Sequence, residues 1–403
     1  MLCKLLLSLV SVSSGAAVLA AGLPTIPEDR IPTKAALAEQ PMAKRALDEL
    51  RKQRGALLKQ PPISVTFDKK LPSPGGDPRD FTSCGPYWWP DPAKPDGLPY
   101  IRRDGRFNPD FRSYDQTKIG RVGRRITAGA LLWHFDRDRE AAEKAGELIR
   151  VFFLDEATRM NPHMKYAQAI PGRTKGRVEG IIDTIAFADL VNMFVLLKDS
   201  PALRPEEYRR LQQWFEAYTR WLLTDPMARK DFGKKQNHGL SYHAQIIAYA
   251  RFCGNEELAA EHLKIVRNLI VAAVDERGFL PEEIHRTRSW HYSAFALQMI
   301  FRSAGAGKAQ GIDLFAPGSE SFRAIERAVE RMLKSYLDPA EKWPYPLLNG
   351  ELEPGAFANV VLQYHAWTKS ESAGRALARL PEKNFTLFNR IFYAPTAKPS
   401  PNH

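Results

Sequence analysis

Apolar residues return at helical spacing along most of this chain, and that pattern restricts it to a mainly helical fold. Ile119, Val122, Ile126, Ala130 and Trp133 share one helix face, and Ala142, Ala145, Leu148, Ile149 and Phe152 share the next. Pro205 stands at a first-turn position ahead of Leu211, Trp214, Phe215, Tyr218 and Leu222, where the N–H that proline lacks is not needed. Asn255 is placed to cap a helix carrying Leu258, Leu263, Val266 and Ile270, and Phe322, Ile325, Val329, Met332 and Tyr336 form a further stripe. Period-two alternation is confined to short stretches such as Ile63 to Phe67. The expected fold class is all-α. No Gly/Ser-rich or Pro-rich linker divides residues 110–390, so residues 22–393 read as one domain, although 403 residues would accommodate two or three. Helices joined in pairs by short loops, without a detectable sequence repeat, are compatible with a ring of helical hairpins, an (α/α) toroid or incomplete barrel. Periodicity does not itself establish that the ring closes.

Three stretches fall outside the pattern. Between Leu71 and Asp110 a run of prolines and glycines from Pro72 to Pro109 is interleaved with Tyr87, Trp88, Trp89 and Tyr100. A loop of this length inside a compact domain is usually functional or disordered, and its aromatic content predicts order. Residues 394–403 form a Pro-rich tail expected to be disordered. At the other end Met1, Lys4, an apolar stretch from Leu5 to Val10 and small residues through Ala20 and Ala21 read as a secretory signal over residues 1–21. The expectation is a periplasmic or secreted protein, cut near Ala20 or Ala21.

Removing Lys4 takes the formal charge from +12 to +11. A basic exported protein suggests an anionic partner, although many such proteins are basic without a function attached. Nucleic acid is not expected, because the Lys and Arg residues are scattered among acids. Neither is a membrane, because charges interrupt every later apolar run. A monomer is expected. Cys3 leaves with the signal, so Cys84 and Cys253 are left to pair or stay free. Two cysteines cannot staple a chain of this size, so its stability has to come from a large core, which 44% hydrophobic residues allow.

Three clusters carry residue types suited to chemistry. Gln236-Asn237-His238-Gly239 leads into a helix on which His238, Tyr242 and Gln245 share a face, opposite an apolar stripe of Ala244, Ile247 and Ala248. Such a polar stripe suits the lining of a cleft, and it suits equally a histidine and amide satisfied inside a core. His285-Arg286-Thr287-Arg288 precedes a helix starting near Ser289, which buries Trp290, Ala294, Leu297 and Phe301 and sends Tyr292 elsewhere. Two arginines beside a helix start favour an anion, and surface arginines beside a buried tyrosine are the commoner case. Asn161 to Gly172 reads as a loop whose Tyr166 and Gln168 suit stacking on, and hydrogen bonding to, a sugar.

Taken together, Ser73-Pro74-Gly75-Gly76-Asp77, the block from Pro86 to Pro92, Phe153-Leu154-Asp155, residues 158–162, Tyr166-Ala167-Gln168, Asn237-His238-Gly239 and residues 288–292 resemble the alginate lyase superfamily, in consistent order over roughly residues 60–370. The resemblance implies an (α/α) toroid with a deep cleft and cofactor-free, metal-independent β-elimination on polyuronates. It carries the catalytic amide and imidazole onto Asn237 and His238, the catalytic tyrosine onto Tyr292, and the accompanying arginine onto Arg286, with Arg288 as the alternative. Tyr166, Gln168, Tyr242, Arg288, Trp88 and Trp89 are the expected substrate contacts. The Trp88-Trp89-Pro90 block looks more like the branch acting on β-1,4-glucuronan than like the shorter alginate lyases.

Such an elimination needs the uronate charge neutralised, which Asn237, an arginine and His238 can do, and a base for H5, for which Tyr292 suits if an arginine lowers its pKa. His238 is the alternative base. Two other classes compete. A glycoside hydrolase would need paired carboxylates, such as Glu179 with Asp183 or Glu282 with Glu283, although adjacent Glu282 and Glu283 suit a solvated turn. A noncatalytic binder of acidic polysaccharide would use the same aromatics and arginines. A zinc site through His238, His243, His285 or His291 lacks the H-E-x-x-H spacing and is not expected.

Overall fold

The computed structural model describes residues 23–396, so the predicted signal segment and the predicted tail from residue 397 onward lie outside it. The main helices are α1 (Pro41–Lys59), α2 (Asp115–Asp136), α3 (Arg139–Ile149), α4 (Ala186–Leu196), α5 (Pro205–Thr224), α6 (Asn237–Phe252), α7 (Glu256–Ala273), the single turn α8 (Pro281–Ile284), α9 (Ser289–Ala309), α10 (Glu320–Leu337), α11 (Pro354–Thr368), α12 (Glu371–Arg379) and α13 (Leu387–Phe392). Their starts follow from the residues that the sequence offers. Pro205 occupies the first turn of α5, and Glu207 reaches back to the Arg204 N–H at 2.9 Å. Asn255 caps α7 by accepting from the Leu258 N–H at 3.0 Å, and Ser319 caps α10 through the Phe322 N–H at 3.1 Å.

Two layers result. Helices α2, α4, α6, α9 and α11 pack side by side as an inner row, and α3, α5, α7, α10 and α12 lie outside them. Burial distinguishes the layers. In α6 every residue except His238 and Arg251 is buried, whereas α10 buries one stripe through Ala324, Ile325, Ala328, Val329 and Met332 and turns its charges outward. At the ends of the row α13 packs on both α1 and α11, and α1 packs on α2, which joins first helix to last. Arg390 of α13 fastens this seam through Glu49 of α1 at 2.7 Å.

The amino ends of the inner helices are tied together at one rim. Asp115, first residue of α2, accepts from the Thr82 N–H at 2.9 Å. Asp183, just ahead of α4, accepts from Ser83 and Gln168 at 3.0 and 2.7 Å. Asn237, opening α6, is bonded to Glu283 of α8, and Arg288, ahead of α9, is paired with Glu353, ahead of α11. Five helix dipoles therefore present their positive ends to the same rim, an arrangement that favours anions.

The Pro/aromatic segment is ordered and non-helical, as its composition predicts. It contributes three short strands, β1 (Thr82–Cys84), β2 (Trp88–Trp89) and β3 (Ile101–Arg102), with β2 and β3 antiparallel. The segment from Asn161 to Gly172, read as a loop, instead contains β4 (Tyr166–Ala169), which pairs in parallel with β1. Residues 63–67 form no strand, and residues 65–68 make a turn. Cys84 and Cys253 do not pair: Cys84 is buried in β1, and Cys253 ends α6 with its thiol directed at the Gln212 carbonyl.

Candidate active site

Asn237, His238, Arg286 and Tyr292 come from two neighbouring inner helices, α6 and α9, and the turn that leads into α9. Gly239 explains how α6 can begin where it does, since a Cβ there would lie 1.9 Å from the Lys234 carbonyl oxygen. Asn237 is almost fully buried, and its Nδ2 donates to the Glu283 carboxylate at 3.0 and 2.9 Å while its backbone N–H donates to the same group at 2.6 Å. His238 is the first-turn residue of α6 that is half-buried and not fully enclosed. The Arg286 Nη2 donates to the Tyr292 hydroxyl at 3.0 Å, and the guanidinium lies over the Tyr292 ring, 4.1 Å from its centroid. Arg286 also pairs with Asp104 of the Pro/aromatic segment at 2.9 Å. Tyr292 in turn donates to the hydroxyl of Tyr87, from the same segment, at 2.6 Å.

Burial dominates the protonation states here. It pulls His238 down to about 4, helped by the cations of Lys234, Arg177 and Arg286 and opposed by Glu179, so the imidazole is neutral near pH 7. Arg286 remains a cation, its desolvation outweighed by Asp104. Tyr292 departs from expectation. Arg286 does favour its phenolate, but burial and the neighbouring Tyr87 prevail and hold the phenol well above its usual range. The resting site therefore contains a neutral tyrosine, a neutral imidazole and a charged guanidinium.

The expected substrate contacts fare unevenly. Tyr242 does not line the cleft: it is fully buried, and its hydroxyl donates to the Leu222 carbonyl at 2.9 Å. Gln245 is likewise enclosed, accepting from Thr184 at 2.8 Å, so below its first turn α6 is core. Gln168 adopts a positive φ of 48° and spends its amide on Asp183 and Arg177, at 2.7 Å each, which makes it a brace. Tyr166 is half-buried with its hydroxyl against the Gly75 turn. Arg288 is committed to Glu353 and lies over the Phe107 ring. Trp88 and Trp89 are half-buried and carry the guanidiniums of Arg173 and Arg103 on their faces.

Both carboxylate pairs proposed for hydrolysis come apart. Asp183 commits both carboxylate oxygens to hydrogen bonds from Ser83 and Gln168, as a brace and not as a partner for Glu179. Glu282 is exposed, as a solvated turn requires, but Glu283 is fully buried. Tyr87 and Asp104 are residues that sequence reasoning missed, and Glu283 was weighed there only as a hydrolase carboxylate on a solvated turn. Tyr87 stood in the recognised aromatic block without a role, and Asp104 carried no local signal. His243, weighed as a metal ligand, faces His262, Nδ1 to Nδ1, at 2.8 Å.

The alginate lyase family profile matches residues 64–343. An alginate lyase from Bacteroides ovatus, known from its crystal structure, is 30% identical over 92% of this chain and 99% of its own, with a TM-score of 0.83. A variant of alginate lyase A1-III complexed with a tetrasaccharide is 14% identical, covering 90% of this chain and 97% of its own at a TM-score of 0.56. Alginate lyase A1-III from a Sphingomonas species is 15% identical over 83% of this chain and 91% of its own, with a TM-score of 0.52, a likeness of fold. A search of curated proteins gave no match. Matched over more than half its length by the family and along nearly all of it by a relative, the chain belongs to the alginate lyases and is a polysaccharide lyase, a carbon–oxygen lyase on an α/α toroid.

Proposed function

We propose that this lyase cleaves a β-1,4-linked polyuronate, β-glucuronan (cellouronate) or polymannuronate alginate, by β-elimination to 4,5-unsaturated uronates. The reading rests chiefly on one observation: a guanidinium bonded to a buried phenol, Arg286 to Tyr292, beside the amide of Asn237 and the imidazole of His238. H5 of a uronate is only weakly acidic while the C6 carboxylate keeps its charge. Asn237 and Arg286 donate to that carboxylate and stabilise the enolate that forms when H5 leaves. Tyr292, as phenolate, takes H5; the C4–O4 bond then breaks, the C4–C5 double bond forms, and the phenol returns the proton to O4. In β-mannuronate and β-glucuronate H5 and O4 share one ring face, so one group serves both steps. The two sugars differ at C2, away from these bonds, which is why both remain in the proposal.

His238 as base is the second reading. Its neutral imidazole is ready to accept a proton at neutral pH, whereas the Tyr292 phenol first has to lose one. We also read the protein as an exported monomer acting in the periplasm or outside the cell. Incubation with β-glucuronan, polymannuronate and polyguluronate, followed by near-UV absorbance, tests the assignment. Growth of unsaturated product on the first or second polymer, insensitive to a chelator, is expected. Turnover confined to polyguluronate, in which H5 and O4 lie on opposite faces, would overturn it.

A further inference from the structure

Glu283 is a fully buried carboxylate with no place in the chemistry just described, yet it touches the residue that binds the substrate's charge. Building on that reading of the site, we propose that Glu283 is a positioning residue: it clamps the Asn237 amide so that one N–H is fixed in place and the other is held ready for the uronate carboxylate. The geometry is specific. Both Glu283 oxygens lie within 3.0 Å of a single nitrogen, Asn237 Nδ2. Two carboxylate oxygens subtend a narrower angle at that nitrogen than its own two N–H bonds do, so one hydrogen serves both oxygens and the other is left over. The Asn237 side chain has no other hydrogen-bond partner among the described residues.

The clamp also forbids the alternative amide orientation. A flipped Asn237 would set its carbonyl oxygen against the carboxylate and turn an acceptor toward the substrate's anion, reversing its effect on catalysis. The same carboxylate accepts the backbone N–H that opens α6, at 2.6 Å, a donor that no residue within the helix can satisfy. Glu283 further stands three residues before Arg286, whose backbone N–H donates to the Glu283 carbonyl at 3.3 Å. One residue thus holds the amide and the guanidinium in a common frame, although they are far apart in sequence.

Glu283→Gln keeps the shape and one acceptor but sets an NH2 against the amide donors of Asn237. With polymannuronate and β-glucuronan as substrates, and wild-type enzyme run alongside, kcat is expected to fall at least tenfold while KM stays within about threefold and the melting temperature within a few degrees. A kcat within twofold of wild type, or a loss expressed only as raised KM, overturns the proposal. If Glu283→Gln does not fold, Glu283→Asp, which keeps the charge but withdraws it from Asn237, decides by the same criteria. Wild-type enzyme that gives no unsaturated product from either polymer would instead count against the functional reading.

Discussion

The Tyr292 hydroxyl donates to the Tyr87 hydroxyl at 2.6 Å, so the tyrosine proposed as base is in contact with a segment that precedes it by 205 residues. Burial chiefly raises the Tyr292 pKa, and the hydrogen bond that its hydroxyl donates to Tyr87 adds to this, while Arg286 opposes it. If Tyr292 must become phenolate, kcat/KM rises with pH on the alkaline side. Tyr87→Phe removes a contribution that holds the proton on Tyr292, so that rising limb moves to lower pH. Tyr292→Phe removes the group itself and lowers kcat by about 10²–10⁴-fold with binding retained. Initial rates across pH 6 to 10, with oligosaccharide binding to the Phe variant, check both.

His238 gives a contrasting pH signature. Its imidazole, pulled down to about 4, does not change charge between pH 5 and 8. Were it the base, kcat/KM would be level across that range, and His238→Ala would cost as much as Tyr292→Phe. With Tyr292 as base, His238→Ala costs roughly 10- to 100-fold, the scale of one hydrogen bond to a charged group, and the alkaline rise persists. The order of the two variants in kcat decides between the bases.

Arg286 and Arg288, indistinguishable by sequence, are separated by their partners. Arg286 contacts the Tyr292 hydroxyl and ring, whereas Arg288 is bound to Glu353 at the junction of α9 and α11. Arg286→Ala is expected to reduce kcat/KM by about a hundredfold or more with a small change in melting temperature. For Arg288→Ala the larger effect falls on stability, because Glu353 is left partly buried without its cation, and kcat/KM changes less than tenfold. Thermal melts paired with initial rates separate the two roles.

Helix periodicity and capping residues made the layered architecture legible, because each outer helix declares its buried stripe locally, as α10 does through Ile325, Val329 and Met332. What periodicity concealed was depth. Tyr242 and Gln245 look like a polar cleft face, but α6 is an inner helix, and their polar atoms are satisfied by Leu222 and Thr184 from elements remote in sequence. Glu283 failed for the same reason, since its exposed neighbour Glu282 is identical to it in every local respect. The four central residues could be found because they lie next to recognisable motifs. Asp104 could not, because its significance is a long-range ion pair with Arg286.

The pair formed by His243 and His262 predicts how the fold responds to acid. Both rings are essentially fully buried, and their Nδ1 atoms lie 2.8 Å apart, so one must donate and the other accept. His243 Nε2 donates to the Phe232 carbonyl at 2.8 Å, so its Nδ1 is the acceptor, and protonating that nitrogen sets two N–H groups against each other. Burial pulls His243 down to about 4, and burial together with His243 pulls His262 down to about 3. The folded state therefore binds fewer protons than the unfolded chain, whose histidines titrate near 6.5, and stability present above that value is lost as pH falls toward the folded pKa. For one ring held at about 4, the linkage at pH 5 amounts to about 2 kcal/mol. Melting temperatures should decline from pH 7 to pH 5, and a His262→Gln variant, which carries no titrating ring at that position, should show a shallower decline; an unchanged slope would remove the pair as the cause.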